Sequence, residues 1–296
     1  MRASWQLAEG DEIVPGRRAL ELLGGGRRYE AYLAWDEHLN ALVVAKLLRP
    51  DQVEDAAAIA QLTAESRLVD SLAHPLLMRS FGAVLDGPRP HVVLEHIEGP
   101  RLSTLIRRHG LAIEQLLPLG LDLVRLLRYF EAERVLHLDV KPRNIIMAGR
   151  PRLIDLSVAQ RLEDVGALTS PTGTEAYMAP EQCDVARFGE LSTASDVFGV
   201  GATLFEALSG EQPFAPDGER FPQLRSGPRP LSRHVPAPLA DLVLRALGVR
   251  PLAGCSKYCI GVGLTYPRMK RNLSLPLLRR YFDAGGSPRA RVLATR

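Results

Sequence analysis

The order of periodic segments predicts an α+β fold: a small β-rich N-terminal part carrying one helix, then a larger, mainly helical C-terminal part. Three observations carry this expectation. Strand-like alternation fills residues 19–49 on both sides of Gly24, Gly25 and Gly26. A single helical stretch, 56–72, precedes two short strands at 77–84 and 91–94. Beyond the Gly/Pro-containing stretch 95–101, leucine-rich patterns at helical spacing dominate, over 113–130, 195–208 and 239–247. Strands followed by helices, rather than alternating with them, mark the α+β class.

Composition sets the bounds. The 296 residues, 46% of them apolar, suffice for one large or two small domains with a sizeable core. No apolar run reaches the roughly 18 residues that span a bilayer; 197–208 comes nearest and contains two glycines and a threonine. The N-terminus turns acidic at Glu9, Asp11 and Glu12, so secretion is not expected. Cys183, Cys255 and Cys259 form no disulfide framework and suit a reducing cytosol, and no histidine or second cysteine pair completes a zinc site. Residues 251–296 hold nine Lys/Arg against Asp283 alone, a net +8, whereas the first 250 hold 28 basic against 33 acidic residues, a net −5. That basic end reads as a solvated tail or as a contact for nucleic acid or anionic lipid, and the body shows no nucleic-acid footprint.

The choice of cation is more telling. Only four of the 37 basic residues are lysine, and only Lys46 and Lys141 precede residue 251. Arginine serves almost everywhere else. A lysine ammonium is a compact point charge, unlike the planar guanidinium fork, so two lysines in an arginine-rich body point to positions that need one.

Taken in order, Leu20, Leu22 and Leu23 lead into the three glycines, whose backbone N–H groups can approach a phosphate. Alternation resumes through Tyr32, Trp35, Leu42, Val43 and Val44, and Lys46 ends the third strand. In the helix 56–72, Ile59, Leu62, Leu68 and Leu72 form the apolar face, while Glu65 is either an ion-pair partner for Lys46 or a solvated glutamate. The stretch 95–101 is a candidate domain boundary.

After the helix 113–130 comes the octet His137, Leu138, Asp139, Val140, Lys141, Pro142, Arg143 and Asn144, flanked by short apolar segments at 135–136 and 145–147. It sets a carboxylate, an ammonium and an amide at offsets zero, two and five. These are the base, cation and hard-oxygen magnesium ligand that phosphoryl transfer requires. Residues 152–156 read as a strand carrying Asp155. A loop with Thr169, Ser170, Thr172 and Thr174 leads to Tyr177, Met178, Ala179, Pro180 and Glu181. Asp196 either caps the helix 195–208, which stops at Gly210, or reaches the octet.

This order of glycine loop, strand lysine, helix glutamate, hinge, catalytic loop, metal aspartate and Ala-Pro-Glu resembles the eukaryotic-type protein kinase catalytic domain, Ser/Thr branch, over about residues 12–250. The runs 173–181 and 195–201 look most like the bacterial Ser/Thr kinases. The resemblance implies a bilobal kinase fold, with residues 12–97 as N-lobe, 98–250 as C-lobe and 251–296 as a divergent basic tail. It implies that Gly24 and Gly26 cover the ATP phosphates, that Lys46, set by Glu65, holds the α- and β-phosphates, and that Ala31, Val44 and Ile146 enclose the adenine. Leu94 matches the gatekeeper, with the backbones of Glu95 and Ile97 bonding adenine. Asp139 would orient and deprotonate the acceptor, Lys141 steady the γ-phosphate, Asn144 and Asp155 bind Mg²⁺, and Thr174 shape the site for serine or threonine. The reading that follows is a cytoplasmic, ATP- and Mg²⁺-dependent kinase acting on protein Ser/Thr hydroxyls, autophosphorylation included, with room for a dimer and no nucleic-acid partner. The alternative is a nucleotide-binding pseudokinase scaffold.

Departures from the family pattern carry their own expectations. Tyr29 replaces the third loop glycine, a cost if that position needs positive φ, and Arg28 replaces the aromatic before it. Leu138 replaces the arginine that pairs with a phosphorylated activation loop, so loop phosphorylation should matter little. Ser157 ends the metal triplet and Ser80 interrupts an apolar spine, where a polar group needs a partner. Past Arg250 the resemblance fails, and Glu181 would be unpaired without the family's closing arginine.

Overall fold

The computed structural model describes residues 3–248. They divide into two compact units, one made of the chain up to Glu98 together with Ile154–Ser157, the other of Gly99–Leu153 and the chain from Val158 on. The basic tail expected over 251–296, with Cys255 and Cys259, lies outside the described residues. The α+β class expected from the segment order is what the chain adopts.

The first unit is an antiparallel six-stranded sheet with one helix. Its strands are β1 (Glu12–Val14), β2 (Arg17–Gly25), β3 (Tyr29–Asp36) and β4 (Ala41–Leu48), then α1 (Ala56–Asp70), β5 (Ser80–Val84) and β6 (His91–Glu95). The strand order is β1-β2-β3-β4-β6-β5. Side chains alternate across a strand, so Tyr32 and Ala34 of β3 and Val43, Ala45 and Leu47 of β4 point one way. They close a core with Ile13, Ala19 and Val93, against which Trp5 and Leu7 pack. Ala31 pairs with Lys46 and Leu33 with Val44, on the opposite face. Asp55 caps α1 by accepting the Ala57 N–H at 2.9 Å.

Two buried polar knots tie the sheet ends. Arg17 donates to Asp36 at 2.6 Å and to His91 Nε2 at 2.6 Å, while His91 Nδ1–H donates to the Arg89 carbonyl at 2.7 Å. Arg49 binds Glu30 at 2.8 Å and the Ala3 carbonyl at 2.8 Å, and the Trp5 indole N–H donates to the Leu48 carbonyl at 2.7 Å.

The second unit contains α2 (Leu102–His109), α3 (Ile113–Ala132), β7 (Val135–Leu136), β8 (Ile145–Ala148), β9 (Arg150–Leu153) and β10 (Gln160–Arg161). These are followed by α4 (Pro180–Cys183), α5 (Val185–Phe188), α6 (Thr193–Ser209) and α7 (Ala237–Ala246). Helix α6 is its centre: Val197, Phe198, Val200, Leu204 and Phe205 are buried, with α3 and α7 packed on it. It ends at Gly210 in a left-handed C-cap. β7 pairs with β10, and β8 with β9, both antiparallel.

The outline departs from the sequence expectation in three places. The strand expected over 152–156 stops at Leu153, because Asp155 takes φ +70° and leaves the extended region. The strand expected from residue 77 begins at Ser80. Helix α2 lies where no helix was expected. Among the described residues no helix is long and apolar enough to cross a membrane.

Candidate functional site

In the first unit the register decides the chemistry. Lys46, near the end of β4, emerges on the face opposite the core, and α1 turns Glu65 toward it one turn after Leu62. The Lys46 Nζ donates to Glu65 Oε1 at 2.6 Å and to Asp155 Oδ1 at 3.0 Å. Glu65 is only 4% exposed, so the open choice between ion pair and solvated glutamate falls to the ion pair. Burial alone would lower the ammonium pKa, but Asp155 and Glu65 reverse this and hold it raised. Burial raises the Glu65 carboxyl, and Lys46 offsets that only in part.

The other first-unit residues singled out lie along the same sheet. Gly24 pairs with Ala31 at the end of β2, and Gly26 begins the turn; a Cβ at Gly24 or Gly26 would meet nothing within 4 Å. Val44 pairs with both Leu33 and Leu94, placing Leu94 beside it on β6. The Glu95 N–H donates to the Arg79 carbonyl at 2.9 Å and its side chain meets Arg79, while Ile97 is buried. Asp155 stands at positive φ with its N–H directed at Met78 Sδ, 3.4 Å away, and its Oδ1 also accepts from Ser157 N–H at 3.3 Å.

In the second unit the octet is folded around Asp139. Lys141 Nζ donates to Asp139 Oδ2 at 2.5 Å and to Thr174 Oγ1 at 2.6 Å. Asn144 Nδ2 donates to the Asp139 carbonyl at 3.0 Å and to Oδ2 at 3.1 Å. Asp139 Oδ1 is buried with no hydrogen-bond partner among the described residues. Ile146, on β8 beside Arg101, belongs to this unit.

Asp196 resolves the other alternative: it does not cap α6 but receives the N–H of His137 at 2.8 Å and of Leu138 at 2.7 Å. Burial pushes its carboxyl up to about 6, against the lowering by those two bonds. The helix start is served instead by Ser195, whose Oγ accepts the Ser192 N–H at 3.2 Å.

The departures settle as follows. Tyr29 opens β3 in extended conformation and is not among the positive-φ residues, so the position has no need of glycine's freedom. Ser80 Oγ finds a local donor in Gly82 N–H at 3.0 Å. Glu181 is not left unpaired: Ser195 Oγ donates to it at 2.7 Å. Leu138 is buried with Leu136 and Leu191, and Val158, Leu162, Val165 and Leu168 of the following loop pack on them.

Three further residues, Gln182, Gly173 and Gln61, hold these groups in place. Gln182 Nε2 donates to the carbonyls of Leu138 and Thr172 at 2.7 and 2.8 Å, and its Oε1 accepts the Ala179 N–H. Gly173 stands at φ +122°, where a Cβ would fall 2.6 Å from the Leu138 carbonyl oxygen. Gln61 accepts from Arg28 and donates to the Ser157 carbonyl at 3.1 Å. The spacing of Gln61, four residues before Glu65 on α1, is a usable signal; Gln182 offers none beyond its place after Glu181.

The fold class and the side-chain groupings within each unit are those expected of the protein kinase family. The protein kinase domain profile matches residues 17–229, and the chain belongs to that family. It is 31% identical over 248 residues to the serine/threonine-protein kinase PknB of Mycobacterium tuberculosis (strain ATCC 25618 / H37Rv), covering 78% of this chain and 39% of that protein. It is 30% identical to PknB of Mycolicibacterium smegmatis (strain ATCC 700084 / mc(2)155), at the same coverage. To PrkC of Bacillus subtilis (strain 168) it is 31% identical over 212 residues, 70% of this chain and 32% of that kinase. The match thus takes in less than two-fifths of the length of these curated relatives.

Proposed function

We propose that this chain transfers the γ-phosphate of ATP to serine and threonine hydroxyls of protein substrates. The observation that carries the reading is the state of Asp139. One oxygen receives Lys141 and Asn144, while Oδ1 is buried without a donor among the described residues. Leaving such an oxygen unsatisfied is costly, and a substrate hydroxyl is a small donor that would satisfy it while being oriented for attack. Thr174, sharing the Lys141 ammonium, supports an acceptor of the Ser/Thr kind.

The residues suit the nucleotide and its metal. Magnesium is held by one or two side-chain oxygens together with phosphate, and Asn144 and Asp155 offer oxygens of that type. When bound, the metal supplies neutralisation of phosphate charge. Lys46 adds a cation fixed by Glu65, the turn of Gly24 and Gly26 leaves open space for phosphate oxygens, and Ala31, Val44 and Leu94 of the same unit supply apolar surface for adenine, with the backbones of Glu95 and Ile97 as its hydrogen-bonding groups. Catalysis then comes from positioning and charge stabilisation, the main resources for this reaction. Autophosphorylation, a bacterial signalling role and a cytoplasmic site of action belong to the same proposal; the relatives bear the names of serine/threonine-protein kinases of bacteria, and three cysteines without a disulfide framework suit a reducing compartment.

The test is radiolabel transfer from ATP with magnesium, to the chain itself and to a basic protein, beside Asp139→Asn. Loss of the base should lower the rate about 10²- to 10⁴-fold. A wild-type signal no higher than the variant's, with nucleotide still bound, overturns the reading.

A further inference from the structure

The ammonium of Lys46 carries three N–H bonds. Two go to Glu65 Oε1 and Asp155 Oδ1. Nζ also stands over the ring of Tyr29, 4.8 Å from its centroid. The sheet register brings the two together. Tyr29 pairs with Leu48 and Ala31 with Lys46, so Tyr29 and Lys46 are diagonal neighbours on one face of the β3–β4 ladder.

The turn before Tyr29 is fastened down. Gly26 N–H donates to the Tyr29 carbonyl at 2.9 Å, Arg49 N–H to the Arg28 carbonyl at 2.9 Å, and Arg49 Nε to the Gly26 carbonyl at 2.9 Å. A Cβ at Gly25 would lie 2.6 Å from the Tyr29 carbonyl oxygen, so the backbones are already in close contact. The Arg28 side chain is tied to Gln61 of α1. The phenol oxygen is buried without a partner among the described residues, and burial, with Glu65 adding to it, pushes the phenol up to about 12. A buried, unpaired hydroxyl is a cost. What Tyr29 contributes here is its ring face.

We propose that Tyr29 is a displaceable cover on Lys46: its ring lies against the ammonium, and phosphate must displace it to reach that lysine. The inference rests on the nucleotide reading above. Glu65 and Asp155 are charged acceptors at hydrogen-bonding distance, whereas the ring contact is the weakest of the three and the one an anion replaces. Nucleotide binding therefore gives up the ring contact each time. Contacts of this kind are worth about 2- to 30-fold in an equilibrium constant.

The experiment is a calorimetric titration of the whole chain with ATP and ADP in magnesium, with adenosine measured by competition. It is run on the wild type, Tyr29→Phe, which keeps the ring face, and Tyr29→Leu, which removes it. Tyr29→Val, suited to a strand, replaces the leucine variant if that one does not fold. The expected result is about tenfold tighter ATP and ADP binding by the aliphatic variant, within the range for loss of a partly desolvated ring contact. Tyr29→Phe should stay within about twofold of wild type, because its ring face is retained. Adenosine affinity should be unchanged in all, since it has no phosphate to compete. Equal or weaker nucleotide binding by the aliphatic variant, or tightening shared by adenosine, overturns the cover while leaving the nucleotide reading in place. Failure of wild type and variants alike to bind any nucleotide overturns both.

Discussion

Asp196 Oδ1 accepts the backbone N–H of Leu138 at 2.7 Å while Leu138 stands in the left-handed region at φ +62°. A bulky residue there costs about 1–2 kcal/mol. The conformation is fixed from both sides, by the buried carboxylate on the N–H of Leu138 and by Gln182 on its carbonyl. The strained residue adjoins Asp139, so the position of the proposed base depends on a carboxylate 57 residues further along the chain.

Replacing Asp196 by asparagine should therefore disturb the octet. The amide retains one acceptor but turns an NH₂ toward the other N–H donor. The expected loss is about 1–3 kcal/mol of stability, the usual consequence of a buried donor left unsatisfied, with at least a tenfold fall in phosphotransfer. Thermal melts beside initial-rate kinetics check this, and a variant with both unchanged would contradict it.

Leu138 also bears on regulation. Its side chain lies in an apolar cluster with Leu136 and Leu191, joined by Val158, Leu162, Val165 and Leu168. Hydrophobic contact thus stands where an arginine would await a phosphate. Exchanging Thr169, Ser170 and Thr172 together for alanine should cost less than tenfold in rate. Leu138→Arg, which would bury an unpaired guanidinium, should destabilise by about 3–5 kcal/mol. A larger rate loss in the triple variant, or a harmless arginine, speaks against this picture.

Lys46 balances two carboxylates, and Glu65 among them is almost wholly buried. Lys46→Met should abolish phosphotransfer and lower stability by about 3–5 kcal/mol, because it leaves a buried charge uncompensated. Adding Glu65→Leu should restore much of the stability and none of the activity. Denaturant melts of the single and double variants decide this, since independent sites would instead give additive losses.

A pH dependence follows from His91. Burial, with the Arg17 guanidinium facing Nε2, lowers its pKa from 6.5 to about 4, although its bond to the Arg89 carbonyl pulls the other way. The unfolded chain takes up the proton first, so this group's contribution is complete above about pH 6.5 and is lost as pH falls toward 4. The full difference corresponds to about 3 kcal/mol. Asp196 has the opposite sign, because its folded pKa is raised: its contribution grows as pH falls from about 6 toward 3.8. The comparison is therefore wild type against His91→Gln, which should lose less stability across this acid window. Parallel curves would exclude His91 as the cause.

What could be read from the sequence was local. Leucines at spacing three and four mark α3, whose Leu116, Leu119, Leu123 and Leu127 are buried, and Gly210 ends α6. Helix α2 was not legible because only Leu102 and Ile106 of its described side chains are buried, and its start follows a Gly-Pro pair that reads as hinge. The grouping of Asp139, Lys141 and Asn144 was legible because one turn brings them together. The Tyr29 contact required a diagonal register across two strands, and Asp196 offered two equally good partners until the fold chose. Gln61 and Gln182 act through neutral amides, which leave no charge pattern to find.

The bond from the Trp5 indole to the Leu48 carbonyl means that the family boundary and the folding boundary differ. A fragment trimmed to begin at Arg17, where the family match starts, would lose β1 and the packing of Trp5 and Leu7 on the sheet core. It would also strip Arg49, the residue directly after the strand that carries Lys46, of its Ala3 contact. For recombinant work, residues 3–16, ahead of the recognised domain, belong to the smallest piece worth expressing.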